Sequence, residues 1–232
     1  MKPVIIIPCC NEEGNIEKLI SAILELKKGF HILIVNDNST DRTGRIANRL
    51  SQKHSEVYAL HREGKRGLGR AYIDGFRWAL EKDYDLIFEM DGDFSHQPKS
   101  LPKFLEAIKD YDLVIGSRYL NGISIINWPL SRLAISLVAN KYIRMATGLE
   151  LTDCTTGFKC FKRKVLESIN FDKIASDGYS FQFEVNYIAK KKGFRIGEIP
   201  IVFIERRAGT SKMTKKIIWE AFWKVWKLRF TK

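Results

Sequence analysis

Residues 84–98 read YDLIFEMDGDFSHQP. An apolar run, LIFEM, leads straight into Asp91-Gly92-Asp93. Two carboxylates one glycine apart at the end of a buried strand are costly unless positive charge sits on them. The stretch therefore sets both the fold and the question of what it holds.

Working outward, β and α signals alternate. PVIIIP (3–8) reads as a buried strand, and Asn11-Glu12-Glu13 offers an N-cap and first-turn acids for a helix carrying Ile16, Leu19, Ile20, Ile23, Leu24 and Leu26. HILIVN (31–36) predicts a second strand, the turn-rich DNSTD a loop, and 41–52 a helix. A short strand near 56–60, a helix through Tyr72, Phe76 and Leu80, the strand 86–90, a helix begun near Pro98 and the strand 112–119 follow. Such alternation predicts parallel βαβ units with helices on both faces. Ligands of such sheets gather at the carboxyl ends of the strands. Cys9-Cys10-Asn11-Glu12, Asp37-Asn38, Asp91-Gly92-Asp93 and Arg118 all fall there. The second half carries a long helical pattern over 127–148, with Arg132, Ser136, Asn140 and Arg144 at four-residue spacing, and a strand begins in IGEIPIVF.

Paired carboxylates with a hydroxyl nearby suit a hard cation such as Mg²⁺ or Mn²⁺, whose shell substrate phosphates and water complete. The competing reading is a polar turn with two solvated acids. An EF-hand is excluded, because counting from Asp91 places His96 at position 6 and Pro102 at position 12. REGKRGLGRA (62–71) is neither a Walker A loop nor G-x-G-x-x-G, since Tyr72 stands where the third glycine belongs. It reads as a basic loop before a helix N-terminus, suited to phosphate or simply to solvent.

Composition bounds the rest. The 232 residues are 45% hydrophobic and 28% charged, as in a globular chain. No signal peptide is evident and no apolar run approaches the roughly 20 residues of a membrane span. The four cysteines match no common zinc spacing and read as reduced thiols. The expected location is cytoplasmic. The formal charge is +12, and from Arg206 onward nine Lys/Arg face one acid, Glu220. In 217–230, Trp219, Phe222, Trp223, Trp226 and Phe230 recur at helical spacing opposite Glu220, Lys224 and Lys227. Such a helix reaches about 21 Å, too short to span a bilayer and suited to lie in its interface. A nucleic-acid partner would explain the charge but not the acids at the strand ends, and no RNP1 string or KH loop is present.

PCCNEE, VNDNSTD, REGKRGLGRAYIDGF, DGDFSHQP, GSRY, NWPLSR, DCTTGFKCF, GYSFQFEV and EIPIVFIERRAGTSK occur in that order. Together they resemble the GT-A glycosyltransferases of family 2, and within that family the dolichol-phosphate mannose synthase branch. The likeness runs from about residue 3 to 213. It implies a GT-A (Rossmann-like), mostly parallel α/β sheet flanked by helices as a catalytic domain over 1–213, with 214–232 as a basic, Trp-rich amphipathic tail on a membrane's cytoplasmic face. It also implies a GDP-mannose donor, a polyprenyl monophosphate acceptor and a divalent metal. Pro8, Cys10 and Glu12 match positions that frame the donor nucleotide, and Val35 and Asp37 those that line its base and ribose. Asp91, Gly92, Asp93 and Ser95 match the segment for diphosphate and metal. Arg118, Arg206 and Lys212 fall on phosphate-handling positions and Arg132 on one facing the acceptor phosphate. The family usually has Tyr at Cys10, Asp at Asn36 and Ala at Gly92. The implied chemistry is one displacement with inversion, the acceptor phosphate attacking; Asp153 is either a base or a structural cap. A UDP-glucose or UDP-amino-sugar transferase uses the same motifs. A membrane-spanning partner protein is compatible with either reading.

Overall fold

The computed structural model describes residues 1–64, 67–174, 178–205 and 225–226, the side chain of Tyr179 excepted. The elements are β1 (Pro3–Cys9), α1 (Ile16–Leu24), β2 (His31–Asn36), α2 (Thr43–Lys53), β3 (Val57–His61), α3 (Leu68–Leu80), β4 (Leu86–Glu89), α4 (Leu101–Ala107), β5 (Leu113–Ser117), β6 (Ile125–Ile126), α5 (Leu130–Thr147), β7 (Lys159–Lys162), α6 (Arg163–Glu167), α7 (Tyr179–Lys191), β8 (Ile196–Pro200) and β9 (Phe203–Ile204). Seven strands form one sheet in the order β3-β2-β1-β4-β7-β5-β8. All its pairings are parallel except those of β7, which runs antiparallel between β4 and β5. β6 and β9 pair as a separate parallel two-stranded sheet.

Both faces of the sheet are covered, so its central strands are apolar throughout. Alternation along each strand divides the core in two. Val4, Ile6, Leu33 and Val35 point to the face of α3, α5, α6 and α7. Ile5, Ile7, Ile32 and Ile34 point to the face of α1, α2 and α4. On α1, Ile16, Leu19, Ile20 and Ile23 are almost wholly buried, each worth about 1.5–3 kcal/mol of transfer free energy. Gly75 brings α3 onto β1; a Cβ there would lie 2.5 Å from Cγ2 of Ile6.

The structure departs from the sequence reading at two places. Asn11 does not cap α1: it sits at φ 60°, and its Oδ1 accepts from the Thr40 N–H at 2.9 Å, so the helix begins at Ile16. β7, inside DCTTGFKCF, carried no strand signal because its KCFK is short and begins and ends on lysine; the first is Lys159. That lysine is nevertheless buried, opposite Glu89 of β4 with Nζ 3.7 Å from its carboxylate. Burial pushes the Glu89 carboxyl up to about 7 and the Lys159 amine down.

Arg206, Lys212 and nearly all of the expected amphipathic tail lie outside the described residues. Val225 is buried in the α3/α5/α7 core, so at that point the chain packs on the body of the protein; Trp226 is partly exposed. No helix among the described residues is long and apolar enough to cross a membrane.

Candidate active site

The loops after β1 and β2 are stitched together by side chain–backbone hydrogen bonds. Thr43 Oγ1 accepts from the Glu12 N–H at 2.8 Å, Ser39 Oγ from the Asn11 N–H at 3.0 Å, and the Cys9 carbonyl from the Asp37 N–H at 2.8 Å. Asp37 is buried against Arg62, which also reaches Asp74 of α3 at 2.8 Å. Pro8, Cys10, Glu12, Val35 and Asp37 therefore stand together at the carboxyl ends of β1 and β2, with Pro8 in register with Val35. Among the described residues all four cysteines are free thiols, and Cys10 alone of them is not buried.

The Asp91-Gly92-Asp93 turn follows β4 on the same edge. Gly92 presses against β1, for a Cβ there would lie 3.0 Å from Cys9 Sγ and 3.3 Å from the Pro8 carbonyl oxygen. Asp91 Oδ1 accepts from the Tyr72 hydroxyl at 3.3 Å, and its N–H donates to His96 Nδ1 at 3.1 Å. That bond requires a neutral Nδ1 acceptor, and burial, aided by Arg118, lowers the His96 pKa to about 4. Asp93 Oδ1 accepts from the Ser95 N–H at 3.0 Å and its hydroxyl at 2.6 Å, with Phe94 between them at φ 63°. Ser95 is buried, and its hydroxyl proton is directed at Asp93.

Asp91, Asp93, Ser95, Arg118 and Arg132 line one cavity of about 620 Å³. Pro8, Cys10, Glu12, Val35 and Asp37 do not line it; Gly92 packs at the boundary between the two groups. Arg118 is fixed by a bidentate ion pair with Asp153, at 2.6 and 2.8 Å, and by Thr155 Oγ1 at 2.8 Å. Burial raises the Asp153 carboxyl, but the charge and hydrogen bonds of Arg118 outweigh it and hold the pKa below the ordinary value. This buried carboxylate, bound bidentately by Arg118, anchors that arginine. Arg132, on α5, pairs with Glu205 and lies over the Trp128 ring at 4.1 Å.

Tyr72, His96, Trp128, Gln182 and Glu205 had no assigned role in the sequence reading. Gln182 is buried with its Oε1 on the all-donor Lys159 Nζ, which fixes the amide orientation. Its Nε2 faces the buried Glu89 carboxylate, and the Trp128 Nε1 is a buried donor of the cavity lining without a hydrogen-bond acceptor among the described residues. Much of the rest of the cavity wall is apolar, with Ile135, Val138, Ala139, Tyr142 and Ile143 of α5, Phe183 and Val225, beside the hydroxyls of Ser136 and Thr156.

No cluster of three His, Cys, Asp or Glu able to hold a metal occurs among the described residues. Two carboxylates facing a cavity nonetheless fit a cation of the Mg²⁺ class, which is commonly bound by one or two carboxylates with substrate phosphates and water.

A mostly parallel sheet with paired acids at its carboxyl edge and a cavity over them is the arrangement of an α/β transferase with its site at the strand ends. The match to the family model "Glycosyl transferase family 2" spans residues 4–169, and the chain belongs to that family. It is 43% identical over 221 residues to an undecaprenyl-phosphate mannosyltransferase of Micrococcus luteus, covering 95% of this chain and 91% of that protein. It is 40% identical to a polyprenol monophosphomannose synthase of Mycolicibacterium smegmatis, covering 98% and 88%. Among solved structures it is similar to a Mycobacterium tuberculosis glucosyl-3-phosphoglycerate synthase with Mn²⁺, UDP-glucose and phosphoglyceric acid (TM-score 0.70, 17% identity, 98% of this chain and 79% of that one). A Pyrobaculum calidifontis mannosyltransferase in complex with GDP-Man and Mn²⁺ gives TM-score 0.60 at 18% identity, covering 90% and 58%. These two likenesses show the fold, the GT-A arrangement expected from the sequence.

Proposed function

We propose that this glycosyltransferase moves mannose from GDP-mannose to a polyprenyl monophosphate held at a membrane surface, with inversion. One observation carries the reading. A single cavity joins the Asp91/Asp93 pair and two arginines to a long apolar wall on α5. A sugar diphosphate matches the first end, and an isoprenoid phosphate matches the second.

In this reading Pro8, Cys10, Glu12, Val35 and Asp37 seat the nucleotide, and Gly92 lets the diphosphate turn approach β1. Asp91 and Asp93 hold a divalent cation, Mg²⁺ or Mn²⁺, which when bound supplies positive charge to the departing diphosphate. Tyr72 and Ser95 hold the two carboxylates, and His96 holds the Asp91 backbone. Arg118, locked by Asp153, and Arg132 orient the acceptor phosphate; Arg206 and Lys212 are assigned to the donor phosphates from the family resemblance. A phosphate monoester, with its second pKa near 6, is largely anionic at neutral pH. It needs alignment more than a base, which accords with an Asp153 committed to Arg118. The amino-acid identities with two named mannosyl transferases support the sugar and the acceptor class.

The test is label transfer into polyprenyl phosphate from radiolabelled GDP-mannose and UDP-glucose in parallel, with and without chelator. Label from GDP-mannose alone, lost with chelator, is the expected result. Label only from UDP-glucose would replace the donor, and chelator-resistant transfer would remove the cation.

A further inference from the structure

The face of α5 turned away from the acceptor cavity borders a second depression, a shallow groove of about 670 Å³. Lys141 and Arg144 project into it one helical turn apart, with Tyr119 and Thr152 on the far side. Neither cation has an ion-pair or hydrogen-bond partner for its side chain among the described residues. The acid of the groove, Glu150, lies 3.5 Å from Lys190 instead. Between groove and cavity runs an exposed apolar stripe. Leu130 is 83% exposed, Val138 68% and Met145 73%. Val138 also lines the cavity, and Leu137 and Met145 also line the groove, so the stripe joins the two.

We propose that this groove seats the phosphate of an anionic membrane lipid while the apolar stripe of α5 rests against the acyl chains. Charge and apolarity together select this occupant. Two unneutralised cations on a chain of net charge +12 favour an anion, but a small soluble anion gains nothing from a rim of Leu137 and Met145. A headgroup phosphate with its acyl chains uses both, at about 1 kcal/mol for each basic residue near an anionic surface. The consequence is orientation. With the groove and the stripe on the bilayer, Val138 brings the edge of the acceptor cavity to the membrane surface. The inference rests on the proposed membrane-borne acceptor, which gives that orientation its use.

The test is flotation of the full chain with vesicles of phosphatidylcholine alone or mixed with phosphatidylglycerol. The variant K141Q/R144Q is compared with K18Q/K53Q, which removes the same charge from exposed positions on α1 and α2. The expected result is affinity for phosphatidylglycerol vesicles weakened on the order of tenfold in K141Q/R144Q alone, with R144Q intermediate and melting temperatures unchanged. Equal loss in both double variants would reduce the effect to net charge and overturn the proposal, as would no loss in either. Release of vesicle-bound wild type by glycerol phosphate would assign the groove to a soluble anion and overturn the lipid. Flotation needs no transfer. A wild type that transfers no mannose would sink the functional reading and leave this result standing.

Discussion

The two ends of the site are built differently. At the carboxyl ends of β1 and β2, backbone N–H groups and short polar side chains interlock across 28–31 residues of chain, and Asp37 is paired and buried. On α5 the wall is mostly apolar side chains, several of them half exposed, with Arg132 as the cation at the cavity. The first end is a rigid mould suited to one small polar ligand. The second is a surface suited to a long chain whose grip comes from area and from one fixed charge. Positional precision is needed where bonds break, and it falls away where only apolar contact is required.

The sharpest way to break the comparison is at the junction. Asp91→Asn should lower transfer about a thousandfold, with little change in melting temperature because the side chain is partly exposed; initial rates and thermal melts check this. Retained activity would remove the acid pair from the mechanism.

Asp153→Asn should come next, because it leaves Arg118 buried without its counter-charge. A loss of about 3 kcal/mol in urea unfolding is expected, with transfer reduced about a hundredfold. The sign with pH is defined. The folded pKa of Asp153 lies below the ordinary value of 3.8, so its contribution is present above that value and is lost as pH falls through the folded pKa. The gap between wild type and variant should therefore be wide near about pH 7 and shrink near about pH 3. A gap constant with pH would contradict the ion pair.

Arg132→Ala separates the two ends. The acceptor KM should rise about tenfold while the affinity for GDP-mannose, measured by titration calorimetry, stays unchanged. Equal loss of both would place Arg132 with the donor. The smallest effect is packing. Gly92→Ala should cost about 1–2 kcal/mol of stability by pushing a methyl against Cys9 Sγ, and C9A/G92A should recover most of it. An unchanged single variant would mean that β1 gives way freely.

Much of this was legible from residue order. The strands 3–9 and 31–36 are continuous apolar runs, and the turn after LIFEM carries its acids at the strand end where ligands gather. The long helix showed its pattern because the periodicity persists over 18 residues. What escaped depended on partners distant in sequence. β7 takes its place between β4 and β5 by backbone pairing, with its Lys159 buried opposite Glu89, which no local pattern announces. Asp153 read as base or cap, and its ion-pair partner Arg118 stands 35 residues earlier, beyond the reach of any local pattern. Trp128 had no role from sequence; only the cavity shows its buried, unanswered donor. Asn11 read as a helix cap because local sequence cannot reveal Thr40.

The central claim is that one cavity takes the sugar diphosphate at Asp91 and Asp93 and the lipid along α5. The most direct measurement is photo-crosslinking with a polyprenyl phosphate carrying a diazirine on its second or third isoprene unit, in the presence of GDP and Mn²⁺. The account predicts adducts on Ile135, Val138 or Tyr142 of α5, competed by unmodified polyprenyl phosphate. Adducts on α1 or α2, or none that compete, would contradict it.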